Sequence, residues 1–172
     1  MSHPDTGLYI GTVEDNTIDR DGCIGIKIPA LGGTFPARLT APMAGDARGM
    51  VFLPEKNDQV LVAAVLGSDV RWAVIGSVWS RNEKPPVTNG DGKNDTKIIK
   101  TRGGNVIRMT DTDNDERIEI TDKTGTNTIS IGTKNNEITI KAAGAVSIKG
   151  KTVTLEATNG DVTVTGQKIY LN

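Results

Sequence analysis

From residue 107 onward the chain repeats one short pattern: two aliphatic residues two positions apart, then a small polar turn. The pairs are Ile107/Met109, Ile118/Ile120, Ile129/Ile131, Ile138/Ile140, Val146/Ile148, Val153/Leu155, Val162/Val164 and Ile169/Leu171. Their first members lie 7 to 11 residues apart, and Thr, Ser, Lys, Arg and Glu mostly fill the alternating positions. A period of two places both aliphatic residues of a unit on one face of a strand. A single strand cannot shield that face, so repeats of this kind are stable only when stacked. These units fall well short of the roughly 18 residues a single-chain β-helix spends on each three-sided coil. The spacing therefore predicts that several chains supply the faces of one prism, three chains being the natural number for a triangular section. The expected axis core runs from Ile118/Ile120 through Ile129/Ile131, Ile138/Ile140, Val146/Ile148 and Val153/Leu155 to Val162/Val164. An ordinary meander packed on the first half of the chain is the alternative.

Composition divides the chain in the same place. It has 172 residues, with 20 Lys and Arg against 21 Asp and Glu, one His, one Cys and two each of Trp, Tyr and Phe. All seven prolines, and every aromatic except Tyr170, lie in the first 86 residues. A proline-free tract suits a continuous hydrogen-bonded ladder, because proline donates nothing to one. The stretch from Ser80 to Asp95 carries Pro-Pro, Asn-Gly and Asp-Gly, which is linker chemistry. The expected organisation is a β-domain over 1–85, a linker over 86–97 and a shaft over 98–172. In the first half, Leu8–Val13, Gly25–Ile28, Thr34–Leu39, Gly49–Leu53, Gln59–Val65 and Trp72–Val78 read as short strands. Five or six strands in about eighty residues suggest a small barrel, with the OB type among the options. No segment sustains a helical apolar period. A low aromatic content suits a thin axis, which accommodates Ile and Val but few rings.

Little in the sequence points to catalysis, and the chain is expected to be neither an enzyme nor a cofactor or metal protein. The only His is His3, and no phosphate-binding or nucleophile-elbow motif is present. Cys23 has no partner for a disulfide. Asp111-Thr-Asp-Asn-Asp-Glu starts like a calcium loop but lacks its glycine, and a solvated turn is the expected reading. The balanced charge argues against nucleic acid. Residues 1–85 hold 8 Lys and Arg against 10 Asp and Glu, and Phe52, Trp72 and Trp79 are expected in the core rather than stacking on bases. The longest apolar run, Val60 to Leu66, is too short to span a membrane. The start of the chain lacks the features of a secretion signal, so synthesis in the cytoplasm is expected.

Several stretches resemble a known family. Gly25-Ile-Lys-Ile-Pro-Ala-Leu-Gly-Gly, Ala37-Arg-Leu-Thr-Ala-Pro-Met-Ala-Gly and Arg48-Gly-Met-Val-Phe-Leu-Pro-Glu-Lys-Asn-Asp-Gln-Val-Leu-Val form one group. Val74-Ile-Gly-Ser-Val-Trp-Ser-Arg-Asn-Glu-Lys-Pro-Pro and Arg117-Ile-Glu-Ile-Thr-Asp-Lys-Thr-Gly form another. They are similar to the spikes of contractile injection machines: phage baseplate assembly protein V, VgrG proteins and the spikes of phage-tail-like particles. The resemblance implies an all-β chain, an OB-fold barrel followed by a trimeric intertwined β-helix, incorporated into a virion tail baseplate or injection particle. It implies a homotrimer docked by its OB domain on a separate hub protein and on the tube, meeting the target envelope transiently during contraction. A PAAR-like tip protein is expected to cap Ile169, Tyr170, Leu171 and Asn172. Some phage spikes hold iron near the tip with a His-x-His pair, which has no counterpart here. The alternative function is a trimeric tail fibre or adhesin that recognises a surface glycan.

Overall fold

The computed structural model describes residues 7–170; His3, Leu171 and Asn172, singled out above, lie outside them. The chain divides into two units, Met1–Pro86 and Val87–Asn172.

The first unit is a closed barrel built from β1 (Leu8–Asp15), β2 (Cys23–Ile28), β3 (Gly33–Leu39), β6 (Gln59–Ala64) and β7 (Trp72–Ser77), in the order β1-β2-β3-β7-β6. Every barrel pairing is antiparallel except β3 with β7, which run parallel through Ala37–Trp72, Arg38–Ala73 and Leu39–Val74. This is the five-stranded architecture of an OB-type barrel. Alternation along the strands fills the interior: Val13 from β1, Ile24, Ile26 and Ile28 from β2, Ala37 from β3, Val60 and Val62 from β6, and Trp72 and Val74 from β7. Tyr9 meets Trp72 edge-on at 5.4 Å between ring centroids, and Phe35 lies 5.9 Å from the same indole. One Trp with two flanking rings thus plugs the space that aliphatic residues leave.

Local chemistry closes the connections. Asp19 accepts from the backbone N–H groups of Asp21 and Cys23, both at 2.8 Å, and turns β1 into β2. Pro29–Leu31 forms a 3-10 turn that ends at Gly32, whose φ of 69° is left-handed. The Pro-Glu-Lys-Asn-Asp motif is a turn as well. Asn57 is left-handed, Asp58 Oδ2 accepts from Glu55 N–H at 2.8 Å, and Asn57 N–H reaches Val13 O at 2.8 Å. That motif therefore ties the foot of β6 to β1.

Two readings of this half need correction. The expected strand Gly49–Leu53 is absent: only β4 (Ala44–Gly45) and β5 (Arg48–Gly49) pair, as a two-residue ribbon. The β3–β7 pairing closes the barrel without that segment, leaving Met50, Val51 and Phe52 exposed while Leu53 still packs against the core. Phe52 and Trp79 are not core residues; they are 63% and 67% exposed, while Trp72 is buried. Phe52 belongs to the excluded connection, and Trp79 lies beyond the end of β7.

The second unit holds a five-stranded antiparallel meander: β8 (Thr96–Lys100), β9 (Val106–Thr110), β10 (Arg117–Thr121), β11 (Thr128–Gly132) and β12 (Glu137–Lys141). Each strand pairs with its sequence neighbour. The first four repeat units therefore stack within one chain, as an antiparallel sheet rather than as coils of a β-helix. β8 begins at Thr96, inside the stretch expected as linker. The last four units differ: among the described residues no strand is assigned after Lys141, and every described residue from 143 to 170 is exposed. A β-helix is not formed within the single chain.

Barrel closure depends on Gly11, where an added Cβ would lie 2.5 Å from Ile26 Cγ2 and 3.2 Å from Val62 Cγ2. Gly76 faces open space and serves as the control. Gly11→Ala is expected to cost about 1–3 kcal/mol through overpacking, and Gly76→Ala to stay within about 0.5 kcal/mol. Urea unfolding followed by tryptophan fluorescence checks both.

Candidate functional site

Cross-strand register aligns the aliphatic pairs of the meander into two continuous rows on one face. Ile99, Ile107, Ile120, Ile129 and Ile140 stand directly opposite one another in sequence, strand to strand. Lys97, Met109, Ile118, Ile131 and Ile138 form the second row. Five strands at about 4.8 Å spacing make each row roughly 19 Å long. Among the described residues this face is exposed: Ile107, Ile118 and Ile129 are about half exposed, and Ile138 is 73% exposed. A groove of about 540 Å³ follows the first row, bounded at the turn end by Asn105, Asp122 and Asn127. Contiguous apolar surface of this extent marks an interaction site rather than ordinary exposure.

The opposite face is mostly polar, with Ile98 of β8 and Val106 of β9 as its aliphatic members. Arg108, Glu119, Ser130 and Thr139 follow one another across it. Arg117 bonds both the Asp115 carboxylate and, at 3.0 Å, Glu119 Oε2, which holds its guanidinium even more firmly protonated than usual. One side of the sheet is therefore mainly polar and the other mainly aliphatic.

Asparagine side chains on one edge and backbone bonds on the other fix the spacing of the turns. Asn105 Oδ1 accepts from Lys123 N–H at 3.0 Å, and Asn127 Oδ1 accepts from Ala143 N–H at 3.0 Å. On the other edge Asp95 O accepts from Asp111 N–H at 2.8 Å, and Glu116 O from Thr133 N–H at 3.0 Å. Each turn thus grips the next one on its own side, which holds the strands level. Asp122 anchors its turn by accepting from the Thr124 hydroxyl at 2.8 Å and from Asn127 Nδ2 at 2.8 Å. These bonds, that from Thr124 foremost, pull its carboxyl below the ordinary 3.8.

The expected axis residues fall into two groups. Ile118, Ile120, Ile129, Ile131, Ile138 and Ile140 are brought together on the apolar face. Val146, Ile148, Val153, Leu155, Val162 and Val164 are exposed, outside any strand of this chain. Ile169 and Tyr170 are exposed as well, whereas Leu171 and Asn172 lie outside the described residues. Sequence reasoning missed Ile99 and Lys97, although Thr96-Lys-Ile-Ile-Lys is a β-branched run directly after the turn-rich stretch. It also missed the two asparagine staples. The carboxylate-rich segment Asp111–Glu116 is a turn with Asn114 left-handed; Asp111 engages Lys97 and Asp115 engages Arg117. Cys23 is buried, and burial pushes its thiol up, away from reactivity.

Residues 9–79 match the Type VI secretion system/phage-baseplate injector OB domain family, and the barrel is a member of that family. The match covers the barrel and none of the second unit. No curated protein matches the chain.

Asn127→Ala removes both the anchor on Asp122 and the staple to Ala143. It is expected to cost about 1 kcal/mol and to speed exchange of the Ala143 amide, read by hydrogen-exchange NMR. Because the folded-state value of Asp122 is depressed, its contribution is present above the ordinary carboxyl value and is lost as pH falls through the folded one. A carboxyl-detected NMR titration is expected to place the Asp122 midpoint below 3.8.

Proposed function

We propose that this chain is the central spike of a contractile injection machine and works as a homotrimer. The carrying observation is the pair of exposed aliphatic rows, followed by a tract to residue 170 that repeats the aliphatic pairs without strand partners of its own. Two regimes of assembly follow. Through Lys141 each copy contributes one flat sheet, and three apolar faces close a triangular prism. Beyond Lys141 the backbone groups must find strands in other copies, since an extended segment with unpaired N–H and C=O groups gains little on its own. There the chains intertwine, and the pairs from Val146/Ile148 to Val162/Val164 continue the axis. Covering the exposed half of each aliphatic side chain contributes about 1 kcal/mol, repeated along the whole shaft and in every copy.

The mechanism is mechanical. A shaft whose strands are hydrogen-bonded to neighbouring chains cannot lose one strand without breaking contacts to the others, which suits axial load during sheath contraction. In this reading the OB barrel docks on a separate hub protein and on the tube. Ile169 to Asn172 meet a PAAR-like tip protein, and the envelope of the target cell is a transient partner. Neither nucleic acid nor a cofactor has a part in it.

The full-length chain is expected to sediment at three times its 18.2 kDa mass. Ile140→Asp or Ile148→Asp would bury three charges on one axis and is expected to yield monomer with the barrel still folded. A monomeric or dimeric wild-type protein contradicts the trimer, and trimers formed by both variants contradict the axis.

A further inference from the structure

The two aliphatic rows share a weakness. Across the first row the side chains are Ile99, Ile107, Ile120, Ile129 and Ile140, one after another. The second row reads Met109, Ile118, Ile131 and Ile138 over four of its five positions. A copy that slid along another by one strand would still place isoleucine against isoleucine. Uniform faces of this kind specify register poorly. Of the ten positions on the face, one is not aliphatic: Lys97, directly opposite Met109 at the β8 end of the second row.

Lys97 is not an idle surface lysine. Its Nζ donates to Asp111 Oδ2 at 2.7 Å and to Asn94 O at 2.6 Å. The first bond comes from the turn after β9, and the second from the segment just before β8. The ammonium is therefore held at one corner of the apolar face instead of sweeping through solvent. Asp111 N–H in turn donates to Asp95 O at 2.8 Å, so the counter-charge is itself held in place.

We propose that Lys97 is the register-determining residue of the assembled shaft. This rests on the reading of the apolar face as a contact between copies of the chain. With the copies level, the three Lys97–Asp111 pairs lie together at the β8 end, where the aliphatic rows stop and water reaches them. A slip by one strand in either direction carries one copy's Lys97 against the Met109 or Ile107 region of its neighbour. That strips water from an ammonium and supplies no new partner, which is strongly unfavourable. A single polar residue in an otherwise uniform apolar seam sets register in the same way in coiled coils, at some cost in stability. The charge also guards the exposed edge of β8, because an inward-facing charge on an edge strand discourages further strands from adding to it.

The test co-assembles full-length copies carrying a nitroxide at Ser130→Cys, on the polar face of β11, with copies carrying a gadolinium label at Thr96→Cys, on the same face of β8. The two labels differ in height by three strand spacings, so a slip changes the nitroxide–gadolinium distance directly. Cys23, at 2% exposed, remains unlabelled. Distances between labels on different copies are measured by pulsed electron resonance. The parent protein is expected to give one narrow distribution. Lys97→Met, and Lys97→Gln as a second neutral variant, are expected to add a population displaced through slips of about one strand spacing, roughly 4.8 Å. Lys97→Arg keeps the charge and is expected to restore the single narrow distribution. Narrow distributions in both neutral variants, or a broadened one in Lys97→Arg, overturn the assignment. The absence of any inter-copy distance in the parent protein overturns the assembly reading itself, and the register role with it.

Discussion

One exposed surface governs the second unit: a sheet with a mainly polar side and, on the other, two rows that are aliphatic except at Lys97. Hydrogen bonding inside the meander is well served by strand ladders and by edge staples from Asn105 and Asn127. Among the described residues of the second unit, nothing lies over the rows. A two-layer structure needs a second layer, and those residues supply only one. The tract beyond Lys141 has the complementary deficit, with aliphatic pairs present and strand partners absent within the chain. In the proposed assembly one event, association of copies around an axis, would remove both deficits.

The barrel obeys a different rule and is complete by itself. Its interior is filled by nine buried residues centred on Ile24, Ile26, Ile28, Val60 and Val62, with Trp72 wedged between Tyr9 and Phe35. Closure through the parallel β3–β7 pairing leaves no edge to protect. The long β3–β6 connection contributes no barrel strand, which is why Phe52 is exposed although its sequence context looks like a strand.

Much of this was legible because alternation is a local signal. The strands of the barrel and four of those in the meander follow from period-two patterning, and the Ile118–Ile140 pairs lie on one face as that period requires. Features set by distant partners were harder to read. Gly49–Leu53 has β-rich composition, but no barrel strand is free to pair with it. Trp79 is aromatic within an apolar run, yet β7 ends before it. β8 was hidden because its Ile98 and Ile99 are adjacent rather than alternating, and only pairing with β9 shows which of the two joins the row. The asparagine staples depend on turns some sixteen to eighteen residues away, a separation that no local pattern encodes.

The central claim is that strands of other copies cover the chain beyond Lys141. Hydrogen exchange of the backbone amides from Val146 to Val164, in the full-length protein at assembling concentrations, tests it most directly. The account predicts protection comparable to that of β10 and β11, lost together with assembly on dilution. Rapid exchange across that tract, while β10 and β11 remain protected, would contradict it.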